Sequence, residues 1–228
     1  MKFFTIVKAK SERIKNKNFQ IIFDKTPLWL WTINRILKDG NDKVYVNTDS
    51  NEVIEYAKKS TNIIPIVRSQ KHRNWELESK TKGSPVESMF QEFCDEYSSN
   101  DQEKVCLFHV TSPFLNKKSI IKASNLLDNG YDSVQSVKII KDFLFKQEKD
   151  NIIPLNYDTN IVQRTQDLEP IFMSLGAFFI ARSSQVKNTG KRTPGKNYPY
   201  GLNELESIEI DTQEQLEFAR LIASLEFV

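Results

Sequence analysis

Apolar residues along this chain follow two spacings. Short continuous runs at Phe3–Val7, Val44–Val46, Ile63–Val67, Val105–Val110 and Ser133–Val137 alternate with longer stretches where apolar residues recur every three or four positions. The runs read as strands buried on both faces, and the longer stretches as amphipathic helices. The first helix is well punctuated: Thr26 stands as N-cap, Pro27 at the first helical position and Gly40 at the stop. Leu28, Trp31, Ile33, Ile36 and Leu37 give it a broad apolar stripe, and Trp29 and Trp31 suit helix packing better than base stacking. Further helices are expected over about Glu52–Lys59, over Lys117–Asp128 with Gly130 closing it, and over Thr212–Ser224. Another opens at Ser84-Pro85-Val86-Glu87, a capping-box pattern. Strands and helices alternating at this spacing predict βαβ units and a mostly parallel sheet.

Two stretches break the rhythm. Arg68 to Gly83 shows no periodicity and carries Lys71, His72, Arg73, Lys80 and Lys82, which reads as a mobile loop with an exposed histidine. From about 138 to 173 there are short apolar pieces, polar turns and no clear helix, an excursion from the main sheet. Leu175–Ala181 and Ser207–Ile210 then return as strands. No repeat, low-complexity tract or linker intervenes, so residues 1–228 read as one domain.

Composition removes several classes. At 39% hydrophobic and 27% charged, the chain is an ordinary globular protein. A net charge of +2 speaks against a general nucleic-acid binder. No apolar stretch approaches the roughly 20 residues of a membrane span, and the first apolar run is too short for a signal peptide. A cytoplasmic protein is expected. Cys94 and Cys106 fall in a predicted helix and strand, with neither disulfide nor metal spacing, and read as buried free thiols.

Two local clusters carry candidate chemistry. The segment Lys8-Ala9-Lys10-Ser11-Glu12-Arg13-Ile14-Lys15-Asn16-Lys17-Asn18 holds five cations in eleven residues, directly after the first buried strand. Ligands of open parallel sheets bind beyond the carboxyl ends of the strands, so this loop should overlook a site and neutralise an anion such as a triphosphate. A solvated basic loop is the competing reading. Glu209 and Asp211, two apart on an expected strand, would share one face and suit Mg²⁺. Against this, Asp211 with Glu214 resembles a capping box for the last helix, with Asp211 as N-cap. Asp49 is either an acidic site residue or an Asx-type turn. His109 follows a buried strand, as a substrate contact or a histidine satisfied within the fold. Two histidines so placed make no nucleophilic triad.

The order of motifs adds a family. Lys8, Ser11, Arg13, Lys17 and Asn18 stand in register with the opening loop of CMP-sialic acid synthetases. The likeness continues at Thr48-Asp49-Ser50, Arg68, Val110-Thr111-Ser112-Pro113-Phe114, Asp132-Ser133-Val134, Arg164-Thr165-Gln166-Asp167-Leu168, Gly176-Ala177 and Ser207-Ile208-Glu209-Ile210-Asp211. Each motif is weak, but they occur in family order over nearly the whole chain, which resembles the acylneuraminate cytidylyltransferases. Four positions depart from the family. Ala9 and Lys10 replace glycines, His109 replaces a glutamine at the sugar, and Glu209 replaces the first of two metal-binding aspartates.

The resemblance implies a three-layer α/β/α sandwich of the nucleotide-diphosphosugar transferase type, assembled as a homodimer through the 138–173 excursion. It implies CTP and an acidic sugar as substrates. The anomeric hydroxyl of a nonulosonic or other 2-keto-3-deoxy sugar acid would attack the α-phosphorus, and pyrophosphate would leave. Lys8, Ser11, Arg13, Lys17 and Asn18 would surround the triphosphate, and Arg68 and Ser84 the cytosine. His109, Thr111, Ser112, Arg164 and Gln166 would meet the sugar or a phosphate, and Glu209 with Asp211 would hold Mg²⁺. A same-fold enzyme for another sugar or nucleotide, and a catalytically silent homologue, are the alternatives.

Overall fold

The computed structural model describes residues 1–11, 13–38, 40–78 and 83–225. Strand β1 (Lys2–Val7) forms as its alternation dictates, sending Phe3 and Val7 into one core and Phe4 and Ile6 into the other. A short hairpin of β2 (Ile21–Phe23) and β3 (Thr26–Pro27) leads into α1 (Leu28–Leu37). There follow β4 (Val44–Thr48), α2 (Asn51–Lys58), β5 (Ile63–Val67), α3 (Gln70–Leu77), α4 (Val86–Tyr97) and β6 (Lys104–Phe108). Helix α5 (Lys117–Ser124) continues as a 3₁₀ turn to Gly130, whose φ of 85° closes it as expected. Then come β7 (Ser133–Ile140), β8 (Phe145–Glu148), β9 (Asn151–Pro154), β10 (Ile171–Arg182), α6 (Ser183–Thr189), β11 (Asn197–Gly201) and α7 (Gln213–Leu225).

Seven strands make one sheet in the order β11-β7-β10-β6-β1-β4-β5, with β10 antiparallel to both its neighbours and the other pairs parallel. Helices α1, α2 and α5 bury Ile33, Val53 and Ile120 on one face. On the other face α4 and α6 bury Phe90, Phe93 and Val186, and the Phe4 ring stacks on Phe93 at 4.7 Å. The expected three-layer α/β/α sandwich is therefore present. A smaller cluster joins α7 to Ile14, Trp31, Phe114 and Ile210 and ties the far end of the chain to the loop after β1. Both cysteines are buried and free, as expected. Among the described residues no helix is long and apolar enough to cross a membrane.

Several local expectations change. Thr26 pairs in β3 and Pro27 takes the N-cap of α1, which ends at Leu37 before Gly40 is reached. Pro85 rather than Ser84 caps α4, and no side chain bonds that cap. The stretch read as a mobile loop contains α3, capped by Ser69, whose Oγ accepts the His72 N–H at 3.2 Å. His72 is buried, bracketed by the hydroxyls of Ser69 at 3.0 Å and Ser88 at 3.2 Å. What α3 buries is polar, so hydrophobic periodicity does not register it. Lys80, Lys82 and Glu12 lie outside the described residues.

Ser207–Ile210 is not a strand; it ends as an extended arm joined to the body by the Ile210 N–H on the Thr111 carbonyl, 2.9 Å. The seventh place in the sheet belongs to β11. The 138–173 excursion has no α-helix, as expected, and folds around the β8–β9 hairpin.

Candidate active site

Strand order turns between β1 and β6, the switch point at which open α/β sheets bind ligands. The carboxyl ends of four parallel strands deliver Lys8, Asp49, Arg68 and His109 to that edge. The basic loop is held in shape by polar side chains. Ser11 donates its hydroxyl to the Ile14 carbonyl at 2.6 Å and accepts the Lys17 N–H at 2.7 Å. Asn18 is buried and donates to the Lys8 carbonyl at 3.1 Å. Asp49 braces the loop by accepting the Ala9 N–H at 2.8 Å.

The cations divide between two carboxylates. Lys17, mostly buried, donates to the Ile210 carbonyl at 2.7 Å and to Asp211 Oδ1 at 2.9 Å, and the exposed Arg13 reaches the same oxygen at 3.2 Å. Burial pushes the Asp211 carboxyl up, but these two cations outweigh it and hold it below the usual range. Lys8 and the buried Arg68 converge on Glu76 of α3. Glu76 was not among the residues expected here. Its one sequence signal is an acid eight positions after Arg68, in a stretch without periodicity.

The capping alternative for Asp211 is settled by its neighbours. Thr212 Oγ1 accepts the Gln215 N–H at 3.3 Å, while Gln215 Oε1 accepts the N–H groups of Thr212 at 2.9 Å and Asp211 at 2.7 Å. This is a Thr–Gln capping box. The Asp211 carboxylate is therefore left to the cations. Glu209 lies beside it, and burial followed by the Asp211 charge pushes its carboxyl up to about 7.

Gly176 sits where β10 slips register between Ser174 and Phe179, with a φ of 71° that favours glycine. A Cβ there would stand 3.6 Å from His109 Nδ1 and 4.0 Å from Glu209 Oε1, so the bulge backs both groups. Burial, followed by the charges of Arg192, Lys8 and Lys17, lowers His109 to about 4. The imidazole is thus neutral at pH 7, one nitrogen donating and the other accepting. Ser112 is buried and, among the described residues, its hydroxyl lacks a hydrogen-bond partner. Arg164 and Gln166 lie in the exposed excursion, where Arg164 forms a two-pronged pair with Asp167 at 2.7 and 3.1 Å. Ser84 borders a cavity of about 600 Å³ between α3, α4 and the turn after α6, which Arg192 also lines.

The acidic pair makes a thermodynamic prediction. An acid whose folded pKa is raised loses stability as pH climbs from its unfolded pKa, and the full cost is present above the folded one. Glu209→Gln should be near neutral at pH 4.5. At pH 8 in metal-free buffer it should stabilise the fold by about 1–3 kcal/mol. Urea unfolding at the two pH values measures this, and equal effects at both would mean that burial and the Asp211 charge do not raise the Glu209 carboxyl.

The cytidylyltransferase family profile matches residues 5–227. The chain is 26% identical over 236 residues to the pseudaminic acid cytidylyltransferase of Campylobacter jejuni subsp. jejuni serotype O:23/36 (strain 81-176), covering 97% of this chain and 96% of that one. Its fold matches 2-C-methyl-D-erythritol 4-phosphate cytidylyltransferase of Francisella tularensis with a TM-score of 0.64 at 11% identity, over 97% and 99% of the two chains. It also matches CMP:2-keto-3-deoxy-manno-octonic acid synthetase complexed with CTP, with a TM-score of 0.64 at 12% identity over 99% of each. At such identities the solved structures speak for the fold, while the profile runs through the sequence from β1 to α7: the chain belongs to the cytidylyltransferase family.

Proposed function

We propose that this protein transfers CMP from CTP to the anomeric hydroxyl of a nonulosonic acid or related 2-keto-3-deoxy sugar acid. The observation that carries this reading is the pairing, at the switch point, of Lys17 and Arg13 with Asp211, beside the raised carboxyl of Glu209. The Campylobacter relative, named for an acid of this class, supports the sugar.

The hydroxyl oxygen bonds to the α-phosphorus, the bond to pyrophosphate breaks, and the hydroxyl gives up its proton. Little covalent work falls to the protein, so positioning and charge neutralisation carry the catalysis. Lys8, Arg13 and Lys17 bind the triphosphate, and Ser11 and Asn18 hold their loop in shape. Arg68 and Ser84 face the cytosine; among the described residues Arg68 Nε is buried without a partner, a donor left for the base. His109 and Thr111 serve the sugar, with Ser112 behind them. Arg164 and Gln166, exposed on the excursion, reach the sugar only if Arg164 leaves Asp167.

Glu209 and Asp211 fit Mg²⁺. Among the described residues no group of three or more metal-ligating side chains forms, which excludes a cage built from described residues alone but suits an ion held by two carboxylates and nucleotide oxygens. Burial and, after it, the Asp211 charge raise Glu209, and a bound cation would offset both. When bound, Mg²⁺ supplies charge against the phosphates. The excursion exposes Phe145, Ile152, Leu155, Ile161 and Val162, an apolar set that fits the dimer contact of a cytoplasmic homodimer.

Pyrophosphate release with Mg²⁺ tests the reading, using CTP and a panel of pseudaminic acid, sialic acid and 2-keto-3-deoxy-manno-octonic acid. At least one acid should be turned over, with CTP favoured at least tenfold over UTP, ATP and GTP. Silence with every acid would leave a nucleotide-binding homologue without activity. Equal use of all four nucleotides would mean that only the phosphates are read.

A further inference from the structure

The cations assigned to the nucleotide each meet a carboxylate at close range: Lys8 and Arg68 at Glu76, Lys17 and Arg13 at Asp211. Arg192 differs. Its nearest ion-pair partner among the described residues, Glu87, stands 4.0 Å from Nε, at the outer limit of an ion pair, and the side chain is 37% exposed. The guanidinium carbon lies 4.3 Å from the centre of the Phe179 ring, and the His109 ring lies 6.1 Å from the same ring. Arg192 also lines the 600 Å³ cavity with Trp75, Ser84, Glu87 and Gln91. Gly190, at φ 66°, ends α6 and turns the chain toward it.

We propose that Arg192 binds the carboxylate of the acidic sugar, beside His109 and at the border of this cavity. The inference rests on the reaction proposed above. A sugar acid brings a negative charge into a partly buried site, which is costly unless a cation meets it. Arginine presents a planar fork that matches a carboxylate with two parallel hydrogen bonds, and an aromatic face beneath it leaves the edge nitrogens available. The neutral His109 can hydrogen-bond a sugar hydroxyl but cannot supply that charge. The loose contact with Glu87 leaves the guanidinium free to turn to a ligand, while the Arg192 N–H stays on Glu87 Oε1 at 3.4 Å.

Steady-state kinetics with the best acid of the panel tests the assignment in the full-length protein. Arg192→Ala should raise KM for the sugar acid at least tenfold, with KM for CTP within threefold and the melting temperature within about 2 °C. Arg192→Lys keeps the charge and loses the fork, so it should fall between wild type and Ala, and it carries the test if Ala fails to fold. Inhibition by the neutral amide of the same sugar isolates the charge: wild type should prefer the acid to the amide, and Arg192→Ala should bind the two about equally. An unchanged KM for the sugar acid, or an equal rise for CTP, would overturn the role of Arg192 alone. A wild type that releases no pyrophosphate with any acid overturns the reaction and this inference together.

Discussion

Asp211→Asn should lower pyrophosphate release by about a hundredfold or more while lowering the melting temperature by no more than about 5 °C, because the charge does the work and the shape is kept, although Lys17 loses its counter-charge. Asparagine retains an oxygen for Lys17 Nζ, which also keeps the Ile210 carbonyl at 2.7 Å. The helix start does not depend on residue 211, since Thr212 and Gln215 make the capping box. What disappears is the negative charge that balances Lys17 and Arg13 and that would hold Mg²⁺ with Glu209. Excess Mg²⁺ should recover part of the loss. Glu209→Gln is the companion variant and should also be impaired. Full activity in both amide variants would remove the acidic pair from the mechanism.

The second large effect is on stability. Glu76→Ala removes the carboxylate shared by Lys8 and Arg68, and the Arg68 side chain is only 2% exposed. Breaking a buried pair from one side leaves an uncompensated charge. That costs about 3–5 kcal/mol when both partners are buried, and about 2–4 here because Glu76 is itself 27% exposed. For a chain of this length the melting temperature should fall by roughly 5–15 °C. Millimolar CTP should restore part of the loss, since its phosphates neutralise Lys8 while its cytosine takes up Arg68, and cytidine, which meets only Arg68, should restore less. A fall that CTP does not repair would separate Lys8 and Arg68 from the nucleotide. No fall at all would mean that Arg68 finds another partner or water.

Much of the fold was legible because local burial leaves a local trace. The strands announce themselves as short apolar runs, and β1 alternates between two cores with a period of two. The two cysteines, Trp29 and Trp31 are packed inside as their neighbours suggested. The excursion was visible as a lapse in rhythm, though not the hairpin within it. β11 was missed because Asn197-Tyr198-Pro199-Tyr200-Gly201 carries turn residues, and only pairing along β7 makes it a strand.

The sequence by itself determined the layer architecture, the basic loop after the first strand and the ordered motifs that point to the family. Only the tertiary structure decided what those charges meet. Lys17 and Asp211 are 194 positions apart, and nothing in their neighbourhoods predicts that they share a hydrogen bond. Helix α3 escaped notice because its inner face carries His72 and Glu76, whose burial is stabilised by partners on other elements and not by an apolar stripe. Asp211 and Thr212 are both competent caps by residue type, and the choice fell to Thr212 once Lys17 and Arg13 had claimed the neighbouring carboxylate. Periodicity records what a residue buries against the solvent, whereas an ion pair or a cap depends on which distant group the folded chain brings within about 3 Å.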